Sequence, residues 1–174
     1  MAALGLARLT VRLVAYDPRW PALYLRERAR LQQHLGPLPL EHVGSTSVPG
    51  LDAKPILDLM AGVESDAART QMIEPLRRAG YTHGDSDVIA GRLYFRRDDE
   101  AGLRTHQLSV CAFGGRFWTE HLAFRDALRA DAALAIRYLQ LKRELAQRFP
   151  SDRIAYSEAK SGFVTAVLRA RGLR

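Results

Sequence analysis

One short stretch of the chain combines residue types that suit the binding of a phosphorylated ligand. It opens with a turn of four small residues, Gly44, Ser45, Thr46 and Ser47. Exposed backbone N–H groups and hydroxyls of such a turn can cradle a phosphate group, although the same residue types also simply make turns. The following run, Pro55–Met60, is apolar apart from Asp58 and therefore predicts a buried strand that carries one carboxylate.

Asp58 is the main candidate for a functional side chain, because an isolated ionised carboxylate in an apolar strand is costly. Such a group persists where it meets a cation, a metal ion or several hydrogen-bond donors. Lys54 lies on the same side of an ideal strand but about 13 Å away, too far for a direct ion pair. A turn followed by an Asp-bearing strand suits metal-dependent nucleotidyl transfer, in which strand carboxylates hold Mg²⁺. A carboxylate that caps a nearby loop is the structural alternative.

Helix and strand signals alternate along the chain and define the elements that must position these residues. Helices are predicted from Pro18 or Pro21 to about Leu35, from Ser65 to Ala79, and over Phe117–Arg129, Ala132–Phe149 and Ala155–Arg171. Strands are predicted near Leu40–Val43, Pro55–Met60, Arg92–Phe95 and Thr105–Phe113. Pro75 interrupts the second helix for no reason that the sequence reveals. This order predicts one α+β domain over residues 1–174, with a mixed or mainly antiparallel sheet and a helical C-terminal third.

Composition excludes several classes of protein. With 47% hydrophobic and 26% charged residues the chain is typical of a globular domain. It has no apolar run of about 18 residues, the length that a membrane span needs. Cys111 is the single cysteine, so an internal disulfide and a multi-cysteine zinc site are excluded. The segment Met1–Leu9 is too short and too interrupted for a signal peptide, so we expect a reducing cytoplasm.

Basic residues outnumber acidic ones by 26 to 19, a net charge of +7. The excess lies in the second half of the chain, and such a field can attract nucleic acid. Aromatic residues are not interleaved with the basic ones and no nucleic-acid motif is present, which argues against that partner. Of the basic residues 23 are Arg and 3 are Lys, a ratio typical of a genome-wide codon bias.

The sequence resembles the GrpB family in residues that are spread along nearly the whole chain. They are Tyr16-Asp17-Pro18-Arg19-Trp20, the run Glu41–Leu51, Ala53-Lys54-Pro55, Asp58, Arg104-Thr105-His106, Phe124-Arg125-Asp126, Leu128-Arg129, Tyr138, Leu141-Lys142-Arg143, Tyr156 and Lys160. The resemblance implies a nucleotidyltransferase-like fold, that is, a mixed sheet flanked by helices. The same family is also found fused after dephospho-CoA kinase in some bacteria.

The turn, the carboxylate and the resemblance together predict roles for individual residues. Asp58 is expected to be catalytic and to hold Mg²⁺ together with His42 and His106. A nucleotide or other phosphorylated small molecule is expected to contact Gly44, Ser45, Thr46, Ser47, Lys54, Arg104, Arg125, Lys142, Tyr156 and Lys160. The pairs Tyr138/Lys142 and Tyr156/Lys160 have i, i+4 spacing on helix faces. They suit a basic wall opposite the turn or, alternatively, lysine stems that pack over tyrosine rings.

Two departures from the family pattern bear on activity. The nucleotidyltransferase superfamily usually has a second acid two residues after the first, where this chain has Met60, and a thioether cannot replace an oxygen ligand of Mg²⁺. The family pattern His-His-Leu-His is His106-Gln107-Leu108-Ser109 here. Two functions therefore stay open. One is a nucleotidyltransferase-like enzyme that transfers a nucleotidyl group with Mg²⁺, and the other is a non-catalytic ligand-binding or accessory module.

Overall fold

A five-stranded sheet flanked by helices forms the centre of the protein. The computed structural model describes residues 4–84 and 90–173, so the first three residues of the Met1–Leu9 segment lie outside it. The strands are β1 Leu40–Val43, β2 Leu57–Val63, β3 Thr82–His83, β4 Arg92–Asp98 and β5 Arg104–Ala112. The helices are α1 Trp20–Leu35, α2 Asp66–Gln71, α3 Ile73–Arg78, α4 Arg116–Ala130, α5 Ala132–Arg148, α6 Arg153–Glu158 and α7 Ser161–Arg169.

The strands are arranged in the order β1-β2-β5-β4-β3. β2 and β5 run parallel, and the other neighbouring strands are antiparallel. This mixed sheet and the helical C-terminal third confirm the predicted α+β class. The register places Asp58 of β2 between Val43 of β1 and Gln107 of β5. Those two strands therefore decide which side chains surround the carboxylate.

The second predicted helix is divided in two, and the division explains its proline. α2 and α3 meet at Met72. Pro75 consequently occupies the third position of α3, where a backbone N–H has no partner within the helix. Ser65 caps α2 as predicted, with its side chain accepting from the N–H of Ala68. The last predicted helix is likewise divided, into α6 and α7.

Alternation along β2 sends its side chains to opposite faces of the sheet. Leu57 and Leu59 point into the main core, which α1 and α3 cover. Met60 points to the other face, where it packs with Cys111 and with Trp118 of α4. Asp58 has the same parity as Met60 and therefore lies on the face that α4 covers.

The segment before α1 fixes the loop that carries Lys54. Val14 and Ala53 exchange two backbone hydrogen bonds, of 2.9 and 3.0 Å. The N–H of Gly5 donates to the carbonyl of Pro55 at 2.9 Å. These bonds bracket Lys54 and hold it at the start of β2. Among the described residues, no helix is long and apolar enough to cross a lipid bilayer.

Candidate functional site

The turn after β1 lies directly against Asp58. Gly44 has a φ of 69°, in the left-handed region that favours glycine. A Cβ built on Gly44 would lie 3.0 Å from both Cβ and Cγ of Asp58 and would overlap its Oδ2. The lack of a side chain at Gly44 is therefore what lets the turn approach the carboxylate. The structure brings together the two features that the sequence analysis singled out.

The hydroxyls of the turn have different surroundings. Thr46 and Ser47 are buried. Thr46 Oγ1 lies 3.0 Å from Nε2 of His42, and Ser47 Oγ donates to the carbonyl of Gly44 at 2.5 Å. These two hydroxyls stabilise the turn itself. Ser45 is partly exposed, and its side chain interacts with that of Tyr138.

All three lysines of the chain, Lys54, Lys142 and Lys160, gather around Asp58 together with Arg153. We call these four cations the lysine cluster. The charge of each one favours the ionised form of Asp58. Outside this place the chain uses arginine, which accounts for 23 of its basic residues.

Two tyrosine rings position the lysines. The Nζ atoms of Lys54 and Lys160 lie 5.5 and 4.2 Å from the ring centroid of Tyr156. The Nζ atom of Lys142 lies 5.3 Å from the ring centroid of Tyr138. Cations at these distances are attracted to the face of an aromatic ring. The lysines therefore pack against tyrosine rings, which agrees with the structural alternative, and the basic wall stays a prediction.

Lys142 is buried, Lys54 and Lys160 are partly buried, and few hydrogen bonds replace the water that their ammonium groups lose. Lys142 donates to the carbonyl oxygen of Asp52. Lys54 and Lys160 have no hydrogen bond or ion pair to another described residue. Desolvation lowers the pKa of Lys54 and of Lys142 to about 7 and the pKa of Lys160 to about 8. An anion between these groups would restore the solvation that their charged forms lose on burial.

Gln107 links Asp58 to Arg153. With its amide nitrogen turned toward the carboxylate, Gln107 donates to Asp58 Oδ1 at 3.1 Å. Its amide oxygen then accepts from Arg153 at 2.9 Å and from the hydroxyl of Tyr94 at 3.3 Å. Burial raises the pKa of Asp58, and the lysine cluster opposes this rise without overcoming it. Within residues 4–84 and 90–173 no cation forms a direct ion pair with Asp58, so a gap separates the acid from the ammonium groups.

Arg104 borders this site and has a partner of its own. It is buried, and its Nε donates to Asp98 at 2.9 Å. Its charge lowers the pKa of both Lys54 and Arg153. Arg104 is thus close enough to contribute to the field of the lysine cluster, while its guanidinium is already paired.

Arg125 joins α4 to the edge of the sheet. Its Nη1 pairs with Glu41 at 2.7 Å and donates to the carbonyl of His42 at 3.0 Å. Its Nε pairs with Asp126 at 2.7 Å. The predicted role of Arg125 in ligand binding therefore competes with a structural role at β1.

His42 and His106 do not converge with Asp58, which corrects the predicted set of metal ligands. In the sheet register His42 lies opposite Leu59, and His106 lies opposite Leu57. Both histidines therefore share the main-core face, and Asp58 lies on the other. A metal ion held by Asp58 cannot also reach the two imidazoles across the sheet.

Each histidine has a structural environment instead. The ring of His42 stacks on Tyr24, with centroids 4.8 Å apart. Nδ1 of His106 lies 3.0 Å from a guanidinium nitrogen of Arg97 and 2.8 Å from the hydroxyl of Thr105. Burial lowers the pKa of His42 to about 3 and that of His106 to about 4, with help from nearby arginines. Both imidazoles are therefore neutral at physiological pH.

Mg²⁺ is implied by the fold family, but the residues around Asp58 do not fit it. Mg²⁺ takes oxygen ligands in near-octahedral geometry, mainly carboxylates and water. On its sheet face Asp58 lies beside Val43, Met60 and Gln107, none of which is a carboxylate. Glu41 lies on the same face opposite Met60, but it is paired with Arg125. No group of three or more His, Cys, Asp or Glu residues is placed to hold a metal ion in the part of the chain that the structure describes. The surrounding cations also repel a divalent ion.

Two cavities adjoin the turn. One, of about 210 Å³, is lined by Gly44, Ser45, Phe124, Tyr138 and Leu168 among other residues. The other, of about 820 Å³, runs beside the outer edge of β1 between α1, α4 and α5. The smaller cavity shares Gly44 and Ser45 with the turn beside Asp58.

Three residues around Asp58 were not among the predicted site residues: Tyr94, Gln107 and Arg153. Gln107 was noticed only because it departs from a histidine pattern. Arg153 carries no signal, because it is one arginine among 23. The pairing of β2 and β4 with β5 brings Gln107 and Tyr94 to Asp58, and the contact of Arg153 with Gln107 brings in α6.

Sequence comparisons identify relatives over nearly the full chain. The family profile described as GrpB protein matches residues 10–170. The glutamate-rich protein GrpB of Alkalihalophilus pseudofirmus is 35% identical over 171 residues, which cover 95% of this chain and 98% of that protein. A dephospho-CoA kinase of Mycolicibacterium paratuberculosis is 36% identical over 180 residues, covering 89% of this chain and 44% of the kinase. This chain thus spans less than half the length of that kinase.

Structural comparisons agree. The crystal structure of GrpB from Enterococcus faecalis superposes with a TM-score of 0.81 at 33% identity, covering 91% of this chain and 96% of that one. The Cid1 poly(U) polymerase with Mg 3′-dATP bound superposes with a TM-score of 0.55 at 17% identity, covering 84% of this chain and 49% of that one. The second likeness concerns the fold alone, and it places this chain among proteins with a nucleotidyltransferase-like fold. Within that class, the chain belongs to the GrpB family.

Proposed function

We propose that this protein binds a nucleotide or another phosphate-bearing small molecule between the Gly44–Ser45 turn and the lysine cluster. The observation that carries the proposal is the convergence of every lysine in the chain, with Arg153, on one carboxylate. Four cations face a single acid, so the site has an excess of positive charge. Charges that are partly withdrawn from water are normally paired. Lys54 and Lys160 are partly buried and lie over the Tyr156 ring, but they form no hydrogen bond or ion pair with another described residue.

The type of anion follows from the geometry of the donors. Ammonium groups act as point charges that bind phosphate, and a guanidinium adds a planar fork of N–H donors. The lysine cluster supplies three ammonium groups and one guanidinium group. This arrangement suits the several oxygens of a phosphate group better than a single carboxylate.

A nucleotide is the favoured class of phosphate ligand. The relatives named above include a dephospho-CoA kinase, and the fold is shared with a polymerase whose structure holds Mg 3′-dATP. The cavity of about 210 Å³ beside Ser45 adds room for an apolar part of the ligand. Transfer of a nucleotidyl group, with Asp58 as the catalytic acid, is the second hypothesis. The isolation of Asp58 from other carboxylates supports binding more than transfer.

Isothermal titration calorimetry tests the proposal. ATP, CTP, GTP and CoA precursors are titrated into the full chain, with and without Mg²⁺. At least one ligand is expected to bind, and Lys160→Met should weaken its binding about 10- to 100-fold, because a charged hydrogen bond contributes about 1.5–3 kcal/mol. Arg137→Met is the matched control, since Arg137 is an exposed residue of α5. If no ligand binds, or if both variants weaken binding equally, the proposal is wrong.

The two hypotheses differ at Asp58. In a binding module, Asp58→Asn does not weaken ligand binding and there is no turnover to lose. In a transferase, the same change lowers turnover about 100-fold or more, as expected for the loss of an essential acid. Incubation with labelled nucleotides and separation of the products would show which of these holds.

A further inference from the structure

The surroundings of Asp58 differ from those of a metal-binding carboxylate at each of its two oxygens. Oδ1 accepts a hydrogen bond of 3.1 Å from the amide of Gln107. Oδ2 faces the α-carbon of Gly44 so closely that an added methyl group would overlap it. Both oxygens are therefore in contact with protein on one side.

The positive charge that a metal ion would bring to this place is already supplied by the protein. Lys54, Lys142, Lys160 and Arg153 all act on Asp58. Tyr156 holds two of these groups, with the Nζ atoms of Lys54 and Lys160 near one ring. At partly buried positions, charges separated by several Å still interact appreciably, because the effective dielectric constant there is lower than that of water. A dication entering among these groups would be repelled, whereas a dianion would be attracted.

We infer that the ammonium and guanidinium groups of the lysine cluster bind the phosphate group directly and that no divalent metal ion bridges it to Asp58. This inference rests on the proposed function, since it concerns how the phosphate of the same ligand is held. Asp58 then has a positioning role. It orients Gln107 and limits the mutual repulsion of the lysines, and it does not coordinate the ligand through a metal.

The inference predicts an unusual effect of neutralising the acid. A carboxylate near a bound dianion repels it, so Asp58→Asn should tighten the binding of inorganic sulfate, about tenfold for an interaction of about 1.4 kcal/mol. Sulfate is the appropriate probe because it keeps two negative charges at pH 6, where the lysines are protonated. Glu144→Gln is the control, because it removes the same charge from an exposed position on α5. A bridging metal would give the opposite sign, with weaker binding in Asp58→Asn.

The decisive experiment compares the binding of inorganic phosphate and sulfate in EDTA with their binding in Mg²⁺ at equal ionic strength. It uses calorimetry on the full chain. The dissociation constants are expected to agree within about threefold, and Mn²⁺ titrated alone is expected to show no stoichiometric site by electron paramagnetic resonance. Binding that needs Mg²⁺, or a Mn²⁺ site that Asp58→Asn abolishes, would overturn the inference and leave the proposed function standing. Failure of phosphate, sulfate and all the nucleotides to bind in either buffer would overturn both.

Discussion

The α-carbon of Gly44 packs against the carboxylate of Asp58, which couples the turn after β1 to the strand that carries the acid. This contact makes glycine necessary for two reasons. The φ of 69° disfavours any side chain, and a Cβ would overlap the carboxylate. Gly50 is a useful comparison, because its φ of 78° is similar but nothing lies within 4 Å of an added Cβ.

Replacing Gly44 by alanine is therefore expected to destabilise the protein more than replacing Gly50. Gly50→Ala should cost about 1 kcal/mol, which is the price of a left-handed alanine. Gly44→Ala should cost about 1–3 kcal/mol more, because of the overlap with Asp58. Urea unfolding followed by tryptophan fluorescence measures both. Adding Asp58→Ala should reduce the cost of Gly44→Ala, and equal costs for Gly44→Ala and Gly50→Ala would show that the contact is absent.

The three lysines are expected to titrate far below the ordinary range. Reductive methylation with ¹³C-formaldehyde labels only lysines and the α-amino group, so the chain should give three lysine signals. Burial predicts a pKa of about 7 for Lys54 and Lys142 and about 8 for Lys160. The signals are assigned with single Lys→Arg variants. A pKa near 10.4, the value for a free lysine, in all three signals would show that the cluster is open to water.

The same lysines determine how stability changes at alkaline pH. Their folded-state pKa values lie below the unfolded value, so the unfolded chain binds more protons between about pH 7 and 10. The free energy of unfolding should therefore rise with pH across this window. The rise should be smaller in Lys142→Met. Lys142 is only 2% exposed, and the variant removes one of the three groups whose pKa is lower in the folded chain than in the unfolded chain. A stability that falls over the same range, or that is unaffected by the variant, would contradict the assignment.

The sequence predicted those features of the site that depend on residues close together in the chain. The Gly44–Ser45 turn and the single acid at Asp58 are visible as residue types. The i, i+4 spacing predicted helix faces for Lys142 and Lys160, which is confirmed for Lys142 in α5, whereas Lys160 lies in the break between α6 and α7. The GrpB resemblance also predicted the mixed sheet, which the strand order confirms.

The error over the histidines came from long-range pairing. Adjacent residues of a strand point to opposite faces, so a shift of one position exchanges the side chains that reach the site. β2 and β5 pair in the register that sets Gln107, and not His106, beside Asp58. Arg153 was missed for a similar reason, since no local pattern indicates that α6 packs beside the sheet.

On the main-core face, Glu27 is the centre of a buried ion network. It is 5% exposed and pairs with Arg30 at 2.7 Å and Arg97 at 3.1 Å. Glu27→Gln is expected to destabilise the protein by about 3 kcal/mol, because two partly buried guanidinium groups lose their partner. Glu74→Gln breaks an exposed pair with Arg77 and should cost less than about 1 kcal/mol. Urea unfolding at pH 7 compares the two, and equal losses would show that the network adds nothing to stability.

Acid should destabilise the protein through His42 and His106. Both are buried, and their pKa values of about 3 and about 4 lie below that of an unfolded histidine. Between about pH 4 and 6.5 the unfolded chain therefore binds more protons, and stability falls as the pH falls. At pH 5 each histidine is expected to cost about 2 kcal/mol relative to pH 7. His106→Gln should reduce this loss, whereas His34→Gln should not, because His34 is exposed. If the imidazoles were instead paired with Asp58 on one face, their protonation would be favoured and the slope would have the opposite sign.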